Sequence, residues 1–85
     1  MKSILDFQTK KQQKQKISMI TCYDYSFARL VAASNIDCIL VGDSLAMTML
    51  GKKTTLDVST DVMAVFTEAV VAGAGDKFVI GDLPF

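Results

Sequence analysis

Three short apolar runs, at residues 17–22 (ISMITC), 38–41 (CILV) and 78–81 (FVIG), alternate with two longer segments whose apolar residues recur at helical spacing. The first run, rich in β-branched and apolar residues, reads as a buried strand, and the second is apolar without a break and is closed by Gly42, the pattern of a strand covered on both faces. The segments between the runs supply the covers. Asp24 is placed as an N-cap, Phe27, Leu30, Val31 and Ser34 follow on one helical face, and Asn35 is positioned to end that helix in a left-handed cap. After the second run a longer connection extends to about Ser59, with one or two helical turns over 45–50 and a polar loop over 51–55. From Ser59 or Thr60 as N-cap, Val62, Val65, Phe66, Ala69 and Val70 form an apolar stripe that stops at Gly73 and Gly75. The order βαβαβ with apolar strands implies a parallel sheet with right-handed crossovers.

In front of this unit, residues 3–13 suit a short, weakly amphipathic helix, so the chain divides into an arm over 1–15 and a βαβαβ body over 16–85 of one domain. The sequence stops on Asp82-Leu83-Pro84-Phe85, directly after a strand. Three parallel strands need both faces covered and both edges paired, and two crossover helices do not suffice. The expectation is the front of a larger barrel or sheet, with edges that drive self-association when left open.

Composition narrows the chemistry. With 51% apolar and 21% charged residues a packed core is expected, and no apolar run approaches the roughly 20 residues of a membrane span. The start is polar and lysine-rich without an apolar stretch behind it, so the expected location is cytoplasmic. Zero net charge hides an asymmetry: residues 1–16 hold five Lys and one Asp, the remainder four basic and eight acidic residues. Phe7 is the only aromatic residue of that basic tail, and Arg is absent from it, so neither nucleic acid nor membrane is the expected partner. The absence of histidine removes imidazole catalysis and histidine-containing metal sites from this stretch. Cys22 ends the first strand and Cys38 begins the second, at opposite ends of neighbouring parallel strands and beyond the roughly 7 Å disulfide limit. Two free thiols are expected.

In parallel α/β folds the site lies at the carboxyl ends of the strands. Here those ends carry Thr21, Tyr23 and Asp24, then Gly42-Asp43-Ser44, then Gly81-Asp82. Strands about 4.8 Å apart let Asp43 and Asp82 share one cleft, and two carboxylates with a hydroxyl suit a hard divalent cation. Equally, Asp and Gly after a strand are ordinary turn residues, Ser44 is placed to cap the segment beginning at Leu45, and Tyr23 is placed to pack. Spacing leaves both readings open.

The segments KISMITCYDYSFAR (16–29), LVGDSLAM (40–47) and GDLPF (81–85), with Thr55-Leu56-Asp57-Val58 between the last two, resemble the start of the ketopantoate hydroxymethyltransferase (3-methyl-2-oxobutanoate hydroxymethyltransferase) family. The resemblance covers nearly all of 16–85. It implies an α/β fold, the first three strands of a (β/α)8 TIM barrel, incomplete, with an N-terminal helix. It also implies a homo-oligomeric transferase that moves a hydroxymethyl group from 5,10-methylenetetrahydrofolate to 3-methyl-2-oxobutanoate, giving 2-dehydropantoate for pantothenate biosynthesis. By the same resemblance Asp43 and Asp82 are Mg²⁺ ligands, and Asp43, Ser44 and Asp82 bind the 2-oxo acid. Removing the proton next to a ketone leaves an enolate, whose charge a cation on the keto oxygen stabilises. The family's general base is a glutamate on a later strand, beyond Phe85, so no catalytic residue of that kind is expected within this chain. Ala46, Asp57 and Phe66 depart from the family's usual Gly, Pro and His. The alternative reading of the same ancestry is an inactive remnant, or a self-associating part-barrel without its base.

Overall fold

The computed structural model describes residues 3–84, and Phe85, the last residue of the GDLPF segment, lies outside them. The elements in chain order are α1 (Leu5–Gln12), β1 (Met19–Thr21), α2 (Tyr25–Ala32), β2 (Cys38–Val41), α3 (Leu45–Thr48), a 3₁₀ turn (Thr55–Asp57), α4 (Thr60–Gly73) and β3 (Phe78–Gly81). The strands form one parallel sheet in the order β1-β2-β3. Register aligns Met19 with Cys38 and Phe78, and Thr21 with Leu40 and Ile80.

Side chains alternate across a strand, so this register sorts them into two layers. Ile39 and Val41 of β2 are fully buried in one cluster with Ala28 of α2 and Met63 and Val70 of α4, and Val79 of β3 packs against it. Leu45, Ala46 and Val58 from the long connection complete that core. The other face carries Met19, Thr21, Cys38, Leu40, Phe78 and Ile80, of which Cys38 alone is buried.

α1 lies at the N-terminal ends of the strands. Phe7 meets Phe78 edge-on at 5.0 Å between ring centroids, and Lys10 pairs with Asp37 at 3.4 Å. Its last turn closes as a Schellman motif: Gln15 N–H donates to the Lys10 carbonyl and Lys14 N–H to that of Lys11, with Lys14 in the left-handed region (φ 59°). No helix among the described residues is long and apolar enough to cross a membrane.

Several expectations change. The first strand is shorter than 17–22 and is exposed rather than buried, Met19 to 55%, because this chain places neither a second strand on its free edge nor a layer over its outer face. Of the anticipated α2 face, Val31 packs against the core, but Phe27 and Leu30 point outward, at 63% and 68% exposure, and Ala28 is the fully buried residue. A small residue wins there because α2 and α4 touch closely. Asn35 is not left-handed, Lys14 being the only such non-glycine among the described residues. α2 is closed instead by Ser34, whose hydroxyl donates to the Val31 carbonyl at 2.6 Å, while the Lys77 ammonium donates to the Ser34 carbonyl at 2.6 Å. On α4 the N-cap is Ser59, Val65 is exposed, and Met63 takes a core position that the anticipated stripe left out. Cys22 and Cys38 are free and buried, as expected.

Gly73 shows how close the helices lie. A β-carbon there would stand 2.6 Å from the Tyr25 carbonyl oxygen and 3.0 Å from Ala28 Cβ. Overpacking costs about 1–3 kcal/mol, and a clash with backbone takes the upper part of that range. Alanine's helix preference recovers about 1 kcal/mol. Gly73→Ala is therefore expected to lose about 1–2 kcal/mol net, read as a lower urea midpoint with an unchanged slope.

Ser18 and Asp37 clasp the start of β1 to the start of β2. The Asp37 carboxylate accepts from Ser18 N–H at 2.9 Å and Ser18 Oγ at 3.3 Å, while Asp37 N–H donates to Ser18 Oγ at 3.0 Å. The bond from the Ser18 amide, helped by Lys10, holds the Asp37 carboxyl below its ordinary 3.8. Burial pushes the neighbouring Cys38 thiol up, with Asp37 adding to it. A carboxyl depressed on folding contributes stability that is complete above its unfolded value and lost as pH falls through the folded one. Asp37→Asn is accordingly expected to flatten the loss of melting temperature below pH 3.8 while leaving the profile above it unchanged in shape, as read by thermal melts across the acid range.

Candidate functional site

The carboxyl ends of β2 and β3 meet because their register places Val41 beside Gly81. One further rung follows, in which Asp82 N–H donates to the Val41 carbonyl at 3.0 Å. This rung brings Asp82 across to β2, where its carboxylate oxygen Oδ2 accepts from the Asp43 N–H at 3.2 Å. The two acidic residues are thus joined, with the backbone of one serving the side chain of the other. Both are half-buried.

Gly42 forms the floor between them. A β-carbon at this buried position would lie 3.5 Å from Asp82 Oδ2, 3.5 Å from Ser44 Oγ and 3.8 Å from Leu40 Cδ2. Carboxylate and hydroxyl therefore converge on the space that any other residue would fill with its own side chain. From the neighbouring strand, Tyr23 reaches over so that its phenol oxygen lies 2.6 Å from Ser44 Oγ.

Asp43, Ser44 and Asp82, singled out from their positions after strands, are brought together. Thr21 is exposed and makes no side-chain bond to them, and Asp24 is committed to α2, accepting the Phe27 N–H at 2.8 Å. The capping alternative for Ser44 fails: its backbone is already helical (φ −56°, ψ −15°), and its hydroxyl caps no amide. That leaves the hydroxyl directed to Tyr23. Tyr23 does pack, being partly buried against the core, and its phenol oxygen makes this hydrogen bond as well.

Among the described residues no three acidic, cysteine or histidine side chains cluster closely enough to form a metal cage by themselves. Asp82 and Asp43, joined through the Asp43 amide, are the two carboxylate residues at these strand ends. That donor set, all oxygen and incomplete, fits Mg²⁺, which takes one or two carboxylates and keeps its other positions for water and ligand oxygens. The open space above Gly42 fits it as well.

Sequence reasoning missed the contact that shapes the rim. A β-carbon on Gly81 would meet Thr67 Oγ1 at 3.0 Å, so α4 presses directly on the end of β3. A groove of about 270 Å³ runs there between Thr60, Met63, Ala64, Thr67 and residues 81–83. The glycine at the strand end was the available signal. A larger hollow of about 820 Å³ along α1, lined by Phe7, Gln8, Lys11, Gln12, Gln15 and Ile17, sits at the other end of the strands and holds no acidic group.

Comparison with known proteins gives the ancestry. A family model described as ketopantoate hydroxymethyltransferase matches residues 1–85. A 3-methyl-2-oxobutanoate hydroxymethyltransferase of Bdellovibrio bacteriovorus is 79% identical over 85 residues, covering 100% of this chain and 32% of that protein. Proteins of the same name from Francisella tularensis subsp. novicida and Coxiella burnetii are 53% identical over 85 residues and 56% identical over 80, covering 100% and 94% of this chain. The chain spans about a third of the length of these curated relatives: 32% of the Francisella protein and 30% of the Coxiella protein.

Proposed function

The chain belongs to the ketopantoate hydroxymethyltransferase family, and from that premise we propose that it forms the opening strands of a (β/α)8 barrel transferring a hydroxymethyl group from 5,10-methylenetetrahydrofolate to 3-methyl-2-oxobutanoate. The product is 2-dehydropantoate, and the complete protein works in the cytoplasm as a homo-oligomer. The observation that carries this reading is the meeting of the Asp82 carboxylate and the Ser44 hydroxyl at the space above Gly42, with that carboxylate bonded to the Asp43 amide.

Asp43 and Asp82 would hold Mg²⁺, and Ser44 would donate to the carboxylate of the 2-oxo acid. When bound, such a cation acts as a Lewis acid that polarises a keto oxygen and makes the adjacent carbon easier to deprotonate. The two carboxylates serve as ionised ligands, so neither carries the proton. Asp82 is held for this duty, since the Asp43 amide fixes one of its oxygens and the ladder bond to Val41 fixes its backbone. The general base belongs to later strands of the complete barrel.

Exposure of Met19 and Ile20 on the edge strand favours a second reading, a part-barrel that self-associates and does not catalyse. An assay with 3-methyl-2-oxobutanoate, methylenetetrahydrofolate and Mg²⁺ separates the two. The chain alone is expected to be silent, and residues 1–85 joined to the remainder of the Bdellovibrio relative are expected to turn over. A folded chimera without activity would support the second reading. In an active chimera, Asp43→Ala is expected to cost more than the roughly 10–100-fold typical of an outer-shell partner of a metal, with Mg²⁺ binding lost by calorimetry. Unchanged Mg²⁺ affinity would remove Asp43 from the ligand set.

A further inference from the structure

Tyr23 lies outside the residues given roles above, yet it makes the shortest hydrogen bond at the site, 2.6 Å to Ser44 Oγ. We propose that Tyr23 is a positioning residue that sets the direction of the Ser44 hydroxyl proton, so that Ser44 presents a donor to the carboxylate of the bound 2-oxo acid. This rests on the reading of Ser44 as a carboxylate contact.

A serine hydroxyl has one proton and two lone pairs, and left alone it rotates to suit its surroundings. A carboxylate can only accept. Ser44 serves it only by turning its single proton outward, which requires the contact with Tyr23 to run from the phenol O–H to Ser44 Oγ. The phenol suits that task, because a phenol is a stronger donor than an aliphatic alcohol and its ring swings on only two torsions.

Local structure fixes both partners. Tyr23 is partly buried against the core, two residues beyond the end of β1, so its oxygen is held by packing. Ser44 opens α3 with helical backbone angles and no capping bond, so no amide competes for its oxygen. The bond therefore spans the ends of two neighbouring strands. Its receiving end, Ser44 Oγ, stands 3.5 Å from the position of the missing Gly42 side chain, as does the Asp82 carboxylate. Binding then begins with the proton already aimed, and the ligand does not have to reorient the hydroxyl.

The test is a double-mutant cycle in the chimera of residues 1–85 with the remainder of the Bdellovibrio relative, using Tyr23→Phe, Ser44→Ala and both together. Steady-state kinetics give KM and kcat, and calorimetric titration of 3-methyl-2-oxobutanoate in the presence of Mg²⁺ gives affinity independently of turnover. Tyr23→Phe keeps the packed ring and removes only the hydroxyl. It is expected to weaken 2-oxo acid binding by about three- to tenfold, with kcat changed less. Ser44→Ala is expected to weaken binding by at least as much. The double variant is expected to match Ser44→Ala, because the phenol acts only through the serine.

Additive losses in the double variant would overturn the proposal by showing that Tyr23 acts elsewhere. Loss in Ser44→Ala with none in Tyr23→Phe would overturn the orienting role and leave the carboxylate contact standing. No loss in Ser44→Ala would overturn the carboxylate reading and the proposal with it. Thermal melts of each variant accompany the titrations, and a Tyr23→Phe variant that melts lower with unchanged affinity would assign the phenol to stability alone and overturn the proposal.

Discussion

The pairing of β2 with β3 is the constraint on which both the core and the site depend, because a single register fixes the two together. With Val41 beside Gly81, Ile39 and Val41 enter the helix layer and Asp82 arrives at the Asp43 amide. A slip of one residue would turn Ile39 and Val41 relative to their neighbours and carry Asp82 about 3.3 Å along the strand. The Asp43–Asp82 bond could not survive that displacement. Burial of two fully enclosed aliphatic residues, at about 1.5–3 kcal/mol each, therefore indirectly sets the geometry of two half-exposed carboxylates.

The close contact of α2 with α4 is the second half of the same arrangement. Gly73 and Ala28 let the helices approach until nothing larger fits between them, which draws α4 down onto the sheet. α4 in turn presses Thr67 against Gly81, at the strand end from which Asp82 departs. Small residues at three places thus determine where the Asp82 side chain stands. At the opposite end the basic arm is tied down by Lys10–Asp37 and Phe7–Phe78, which keeps α1 and that lysine away from the acidic strand ends.

Much of this was legible from residue order, and the exceptions share a cause. β2 and β3 could be read because continuous apolar runs closed by glycine have few other uses, and α4 because Ser59 is a strong cap. Strand-end position sufficed to select Asp43, Ser44 and Asp82. The differences on β1 and α2 fall on apolar residues that the strand and helix patterns mark for burial but that face outward in this chain, Met19, Phe27 and Leu30. Periodicity identifies an apolar face but says nothing about what covers it. For Ser44 the sequence left two readings open for a different reason: a hydroxyl before a helix is the commonest capping signal, and only coordinates reveal that it bonds Tyr23 instead. The left-handed Lys14 gave no signal at all, since glycine or asparagine ordinarily marks that position.

Those outward-facing residues bear on how the site would be completed. Met19, Ile20, Phe27 and Leu30 are each large and 39–68% exposed, so covering what remains open is worth about half of the roughly 1.5–3 kcal/mol of a full burial for each. Together that is several kcal/mol, a large share of the roughly 5–15 kcal/mol of an ordinary small domain. The strands that carry Asp43 and Asp82 are therefore coupled energetically to whatever closes the sheet, more strongly than to any single contact within the chain. On the proposed reading the same later strands bring the general base and cover the inner face that Leu40, Phe78 and Ile80 leave partly open. On that reading, closing the sheet and completing the chemistry become one event: the strands that hold Asp43 and Asp82 reach their full stability only as the general base arrives.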